Sequence, residues 1–190
     1  IKMLKLLDFI VIGYFIILCS SLIYALYMSK RKDKGFIGNP PINKILFVFG
    51  KFCTALIAIA VIIQLLNFNL RMIERIFFTD LMSSLFLILS GLFFMLSIFS
   101  LKESSSFGLP QKETSLKTSG IYSFSRNPMY IGFYLFYFGA FFYTLNLLVL
   151  LFSILGIAIH HHIVLNEEKF LEKEFGNEYQ EYKNKVRRYL

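Results

Sequence analysis

Five long apolar runs restrict what this 190-residue chain can fold into. A helix rises about 1.5 Å per residue, so roughly 20 apolar residues cross the hydrocarbon core of a bilayer while satisfying their own backbone hydrogen bonds. The fourth run is short, and we expect it to begin in the interface. The sequence therefore predicts an all-α, polytopic membrane protein with about five transmembrane helices and a short cytoplasmic amphipathic helix at the carboxyl end. The runs are residues 4–28, 45–66, 81–101, 129–143 and 147–164.

The composition agrees with this class. Hydrophobic residues make up 56% of the chain and charged residues 17%, compared with about 25% charged residues in soluble domains. Cys19 and Cys53 lie inside apolar runs and offer neither a disulfide framework nor a metal-binding spacing. At this length we expect one compact helical domain. In it, residues 1–101 supply three spans, and residues 102–190 supply the cytoplasmic loop, a transmembrane hairpin and the tail helix that carry the site.

Basic residues predict the orientation. The loops after the first and third runs and the carboxyl tail are rich in Lys and Arg, whereas Arg71 and Arg75 in the second loop are offset by Glu74 and Asp80. Because Lys and Arg favour the cytoplasmic side, five spans place the amino terminus outside and the carboxyl terminus in the cytoplasm. We expect the cell membrane of a prokaryote or the endoplasmic reticulum of a eukaryote. Topology and anionic membrane lipid account for the net charge of +8, so no nucleic-acid partner is required.

Two polar clusters flank the last two runs and mark a candidate site. Arg126, Asn127 and Pro128 precede the fourth run, and Glu167 and Glu168 follow the fifth. Two crossings joined by a tight turn bring both clusters to the same membrane face, where they can meet. Arginine and paired acids are costly next to hydrocarbon, which favours a functional site over simple packing.

The start of the fourth span also has a simpler interpretation. Asn is a good helix N-cap and Pro is favoured at the first helical position, so we expect the helix to begin at Pro128 with free N–H groups that attract an anion such as a carboxylate. In the simpler interpretation, Asn127 only caps this helix and Arg126 extends to a lipid phosphate.

The tail predicts an amphipathic helix from Asn166 to Gly176, followed by a second polar helical stretch. Such a tail is usually a solvated interfacial element. Glu167 is the exception, because it lies at the exit of the fifth span and could meet Arg126 or a cationic ligand.

The three consecutive histidines, His160, His161 and His162, invite a metal interpretation. Consecutive residues of a helix point about 100° apart and cannot converge on one ion. We therefore expect no metal, and interpret the histidines as interfacial polar residues or contacts to lipid phosphate.

Two motifs in order resemble one enzyme family. The first is Gly120-x-Tyr122-x-x-x-Arg126-Asn127-Pro128-x-Tyr130-x-Gly132, and the second is Glu167-Glu168-x-x-Leu171-x-x-x-Phe175-Gly176-x-x-Tyr179-x-x-Tyr182-x-x-x-Val186-x-Arg188. Together they resemble the isoprenylcysteine carboxyl methyltransferases and the related phospholipid methyltransferases, and the first three spans match only in hydropathy. The resemblance implies a membrane enzyme that uses S-adenosylmethionine to methylate a lipophilic acceptor at the cytoplasmic face.

The resemblance also implies residue roles. Arg126 and one of the two glutamates, Glu167 or Glu168, would be catalytic. Asn127 departs from the family, which commonly has His there; Asn keeps a hydrogen-bond donor but does not titrate near neutral pH. The residues implied for the cofactor pocket are Gly120, Tyr122, Asn127, Pro128, Tyr130, Glu167 and Glu168.

The chemistry of these side chains suits the cofactor. A glutamate carboxylate can hold the amino group of S-adenosylmethionine or balance its sulfonium charge, and a tyrosine ring can face the sulfonium cation. The N–H groups at the helix start can hold the carboxylate of the cofactor. We expect the acceptor to enter sideways from the bilayer. A prenylcysteine carboxylate needs no base, whereas for a phospholipid amine or a thiol a glutamate is the expected proton acceptor.

Two other functions compete with methyl transfer. Membrane sterol and steroid reductases resemble the carboxyl-terminal hairpin and bind NADPH, but they often carry an acidic residue where this chain has Phe133. A non-enzymatic membrane scaffold would use the same polar pairs only to fix helix packing.

Overall fold

The computed structural model describes residues 6–31, 39–101 and 115–190. In these ranges the chain forms five α-helices, and a 3-10 helix at Gly120–Ser123 precedes the fourth. The helices are α1 Leu6–Arg31, α2 Lys44–Leu65, α3 Phe77–Leu101, α4 Pro128–Thr144 and α5 Leu147–Lys185. The all-α prediction is confirmed. Most of the polar loop predicted after the third run lies outside the described residues.

Four of the helices, α1, α2, α3 and α5, are long and apolar enough to cross a membrane. The fourth, α4, has 17 residues and is the short helix that the sequence predicts. It begins at Pro128 as expected, and a left-handed Leu145 followed by the N-cap residue Asn146 turns the chain into α5. The helical hairpin predicted at the carboxyl end is therefore present.

Hydrogen bonds define two opposite ends of the bundle. At one end, which we call the turn end, Tyr143 donates to Asp8 of α1 over 2.8 Å, and Asn146 donates through Nδ2 to the Leu70 carbonyl over 2.6 Å. At the other end, which we call the tail end, α3 finishes, α4 begins and the polar half of α5 continues past Val164. The amino end of α1 and the carboxyl tail thus lie at opposite ends, as five crossings require.

Small residues let α3 and α4 approach closely. Ser83 and Ser90 of α3 donate to the carbonyls of Gly139 and Gly132 on α4, over 3.0 and 2.7 Å. A Cβ atom added at Gly139 would lie 2.9 Å from the side chain of Leu87. Serine and glycine at seven-residue spacing therefore form a packed seam of the type that associates helices in lipid.

The structure differs from the prediction at two helix boundaries. The third helix begins at Phe77 rather than at residue 81, because Thr79 exchanges hydrogen bonds with the backbone of Ile76 and closes the first turn. The fifth span and the tail helix form one continuous element. This element runs as far as Gly176, whose φ of 50° and ψ of −121° are not helical, so the helix ends there as predicted and a second helix follows across the kink.

Candidate active site

A cavity of about 420 Å³ opens at the tail end, between α2, α4, α5 and the segment before α4. Tyr122, Arg126, Asn127, Tyr130 and Glu167 line it, so five of the residues predicted from the motifs converge on one space. The two polar clusters that the hairpin was expected to bring to one face do meet there. Gly120, Pro128 and Glu168 are not among the residues that line the cavity.

Glu167 presents its carboxylate to the cavity. Tyr130 donates its hydroxyl to both carboxylate oxygens, at 2.9 Å each. Glu167 lies beyond the apolar part of α5, in a partly buried position. Burial raises the pKa of Glu167 to about 7, while the Tyr130 hydrogen bond and the charge of Lys51 oppose the increase. The carboxylate is therefore close to half ionised at neutral pH and would be stabilised by a cationic ligand.

Glu168 does not line the cavity, and its buried carboxylate lies in a group of charged and polar side chains that we call the ion cluster: Glu168, Arg126, Arg188 and Asn127. Glu168 pairs with Arg126 at 3.0 Å and with Arg188 at 3.0 Å. The side chains of Arg126 and Glu168 are only 7% and 6% exposed. Asn127 donates through Nδ2 to Glu168 over 2.9 Å. Arg126 thus meets Glu168 rather than Glu167.

The guanidinium of Arg126 is largely used by the protein itself. Its Nε and Nη2 atoms bond to Glu168, and its Nη1 donates to the carbonyls of Lys183 and Val186, over 3.3 and 2.6 Å. These four hydrogen bonds consume most of the five N–H groups that arginine has. The side chain therefore ties α4 to the tail, and little donor capacity remains for an anionic acceptor.

Asn127 occupies the N-cap position of α4 without capping it through its side chain. Its amide instead donates to Glu168 and to the Arg188 carbonyl, the latter over 3.2 Å. The N-cap expectation is correct for the position and wrong for the side-chain contact. The Asn127 side chain thus holds Glu168 and the end of the chain together.

The last residues of the chain return to the start of α4. The backbone N–H of Arg126 donates to the Arg187 carbonyl over 3.0 Å, and Ser125 donates to the Arg188 carbonyl over 3.1 Å. Tyr189 then contacts Tyr134 and His161 through its hydroxyl, at 3.1 and 2.8 Å. This return of the chain closes one side of the site and was not predicted from the sequence.

Aromatic side chains form much of the wall next to Glu167. Tyr182 donates to the Tyr122 carbonyl over 2.6 Å, which fixes the 3-10 helix against the tail. Tyr179 is fully buried at the cavity, and its hydroxyl lies beside the Arg126 guanidinium. Burial also raises the pKa of Tyr122, which keeps its ring neutral.

The second helix contributes residues that the motifs do not include. Phe47, Lys51 and Thr54 line the cavity from α2, and the ammonium of Lys51 lies 4.5 Å from the centre of the Phe47 ring. The signal was present in the sequence, since a lysine inside an apolar run is rare and usually functional. Lys117, just before the 3-10 helix, also lines the cavity.

His160 corrects the interpretation of the histidines as interfacial residues. It is 5% exposed, stacks on Phe133 with ring centres 5.1 Å apart, and lines the inner part of the cavity. His161 bonds to Tyr189, and His162 is exposed. The spacing of seven residues between His160 and Glu167 places both on one face of α5.

Comparison with known proteins agrees with this geometry. A model of the phospholipid methyltransferase family matches residues 78–178, which include nearly all of α3, the whole of α4 and both glutamates. No curated protein sequence matches the chain significantly. The family match covers more than half of the chain, and its boundaries enclose both polar clusters that meet at the cavity. The chain therefore belongs to the phospholipid methyltransferase family, a family of membrane methyltransferases.

Proposed function

We propose that the protein transfers a methyl group from S-adenosylmethionine to a lipophilic acceptor at the cytoplasmic membrane face. One observation carries the proposal: the Glu167 carboxylate, held by Tyr130, faces an aromatic-walled cavity built within the family match. S-adenosylmethionine supplies an activated methyl group on a sulfonium cation. A carboxylate among neutral aromatic rings is a suitable environment for such a cation.

The residues around the cavity fit the three parts of this cofactor. Glu167 would hold the amino group or balance the sulfonium charge, and the Tyr122 ring would face the cation or the adenine. Lys117 also lines the cavity and would pair with the carboxylate of the cofactor.

The ion cluster would act by positioning. It holds the start of α4, the polar half of α5 and the end of the chain in one arrangement, so Glu167 and Tyr122 keep their separation. Methyl transfer is an in-line displacement whose rate depends strongly on alignment and water exclusion. We therefore assign Arg126 and Glu168 to positioning and Glu167 to direct contact.

The inner part of the cavity suits a lipophilic acceptor. Phe133 of α4 lines it together with Ala55 and Ala58 of α2, a helix long and apolar enough to cross a membrane. An acceptor that enters from the bilayer would bring its head group towards Glu167 while its chain stays in an apolar environment. The basic loops support a cytoplasmic tail end.

Titration calorimetry of the detergent-solubilised protein tests the cofactor. We expect S-adenosylmethionine to bind and NADPH not to bind, with Glu167→Gln weakening binding and the exposed Glu174→Gln leaving it unchanged. Binding of NADPH alone would support a reductase instead. If neither cofactor binds and Glu167→Gln only destabilises the fold, the side chains have a scaffold role and the proposal is wrong.

Transfer itself is tested with radiolabelled S-adenosylmethionine in vesicles. Separate preparations contain a lipid with a free amine or a prenylated cysteine with a free carboxylate. We expect label in an extractable lipophilic product. Label that appears only in water-soluble acceptors would contradict entry from the bilayer.

A further inference from the structure

A chain of hydrogen bonds links two residues that line the cavity, Thr54 and His160. Nδ1 of His160 lies 2.8 Å from the Gly156 carbonyl and 3.2 Å from the Tyr137 hydroxyl. The Tyr137 hydroxyl lies 2.5 Å from Oγ1 of Thr54, and Thr54 donates to the Gly50 carbonyl over 3.1 Å. The network therefore begins and ends on backbone carbonyls.

The two carbonyls decide the direction of every bond in this network. A carbonyl only accepts, so Thr54 must donate to Gly50 and its oxygen is left to accept from Tyr137. For the same reason, Nδ1 of His160 must carry a proton that it shares between Gly156 and Tyr137. In a neutral imidazole the proton on Nδ1 leaves Nε2 with a lone pair. The ring is thus held in the tautomer in which Nε2 can accept a hydrogen bond or a proton.

His160 and Glu167 lie on one face of α5 and line the same cavity. At about 1.5 Å per residue, seven residues separate them by about 10 Å along the helix, with His160 on the membrane side. The groups that face the ring from neighbouring helices are Lys51 and Thr54 of α2 and Tyr130 and Tyr137 of α4. Tyr137 and Thr54 are already committed to the network.

We propose that Nε2 of His160 accepts the proton of a lipid amine as that amine is methylated. This inference rests on the proposed function and adds the residue that takes up the proton. A carboxylate acceptor needs no base, so a histidine fixed with its lone pair in the cavity would serve no purpose for it. Glu167, which was the expected proton acceptor, is then reserved for the cofactor.

The proton and electron balance is simple. The amine nitrogen gives one proton to Nε2 of His160, and its lone pair forms the new carbon–nitrogen bond. The electron pair of the broken carbon–sulfur bond stays on sulfur, which leaves as a neutral thioether. The histidinium then releases its proton to water when the product leaves.

His160→Asn is the sharpest variant, because the Asn amide can replace the Nδ1 donor while nothing replaces Nε2. The matched control is His162→Asn, the same change at an exposed position. We expect His160→Asn to bind S-adenosylmethionine within threefold of the wild type and to methylate an amine lipid at least about 100-fold more slowly in a single turnover. His162→Asn should behave as the wild type. Single-turnover rates within threefold for His160→Asn would overturn the inference.

The tautomer provides a test that does not need turnover. The chain has three histidines, so nitrogen NMR of protein labelled at histidine resolves all of them, and His161→Asn and His162→Asn assign His160 by elimination. We expect the proton on Nδ1 and a bare Nε2. A proton on Nε2 would overturn the inference. Because this measurement does not use His160→Asn, it decides the question even if that variant does not fold.

These outcomes separate the inference from the proposed function. If the wild type methylates only carboxylate lipids, the proposed function stands and the base is wrong. If the wild type does not bind S-adenosylmethionine, the proposed function fails, and the role of His160 fails with it.

Discussion

Glu167 and Glu168 are neighbours in the chain, yet they belong to different environments. Glu167 faces a cavity and accepts a hydrogen bond from Tyr130. Glu168 is enclosed by Arg126, Arg188 and Asn127. Consecutive helical residues point about 100° apart, so a single helix can present one acid to a ligand and use the next to hold the fold. The two acids of the motif therefore have two separable physical roles.

The largest expected effect is on stability, at Glu168. Glu168→Gln removes the only carboxylate of the ion cluster and leaves Arg126 and Arg188 without a counter-charge, which we expect to cost about 3–5 kcal/mol of unfolding free energy. Thermal unfolding in detergent measures it. The exposed Glu178→Gln is the control. Equal melting temperatures for the two variants would show that the ion cluster does not stabilise the fold.

Glu167→Gln should affect ligand binding rather than stability. Removing one charge-assisted contact is worth about 1.5–3 kcal/mol, so we expect the affinity for S-adenosylmethionine to fall about tenfold or more. Its melting temperature should stay close to that of the wild type. A variant that unfolds as readily as Glu168→Gln would mean that the two acids share one role, and the comparison would fail.

The pKa of Glu167 makes binding depend on pH. Because this pKa is about 7, the carboxylate is mostly ionised at pH 8 and mostly protonated at pH 6. A cationic ligand prefers the ionised form, so the affinity should fall by about tenfold as the pH decreases from 8 to 6. The pH dependence of binding to Glu167→Gln measures the contribution of the ligand's own ionisable groups. The same pH dependence in that variant would assign the effect to another group.

The smallest effect should come from Arg188. Its side chain is 36% exposed, so water screens its pair with Glu168 far more than the pair with Arg126. We expect Arg188→Gln to cost about 1 kcal/mol or less. Chemical denaturation compares it with Glu168→Gln. A loss as large as that of Glu168→Gln would show that the exposed arginine is essential to the ion cluster.

The sequence predicts the helices and the convergence of the two polar clusters, because hydropathy sets span lengths and a hairpin returns the chain to its starting face. It does not predict which glutamate faces the cavity. That depends on the rotation of α5 about its axis. Close packing sets this rotation: a Cβ atom added at Gly156, for example, would lie 3.0 Å from the Tyr137 ring. Such contacts join residues far apart in the chain and leave no local periodic pattern.

The return of the chain end is missing from the sequence prediction for a different reason. Arg187 and Arg188 bind residues 125–127 mainly through backbone carbonyls, and backbone bonding carries no side-chain signature. His160, by contrast, could have been found. Its spacing of seven residues from Glu167 indicates a shared helix face, a signal hidden by the two adjacent histidines.

An experimental structure with S-adenosylhomocysteine bound tests the central claim most directly. We predict the ligand in the cavity at the tail end, with its amino group within hydrogen-bond distance of the Glu167 carboxylate, and with Glu168 still paired to Arg126. A ligand bound elsewhere, or one that contacts Glu168 while Glu167 faces away, would contradict the account.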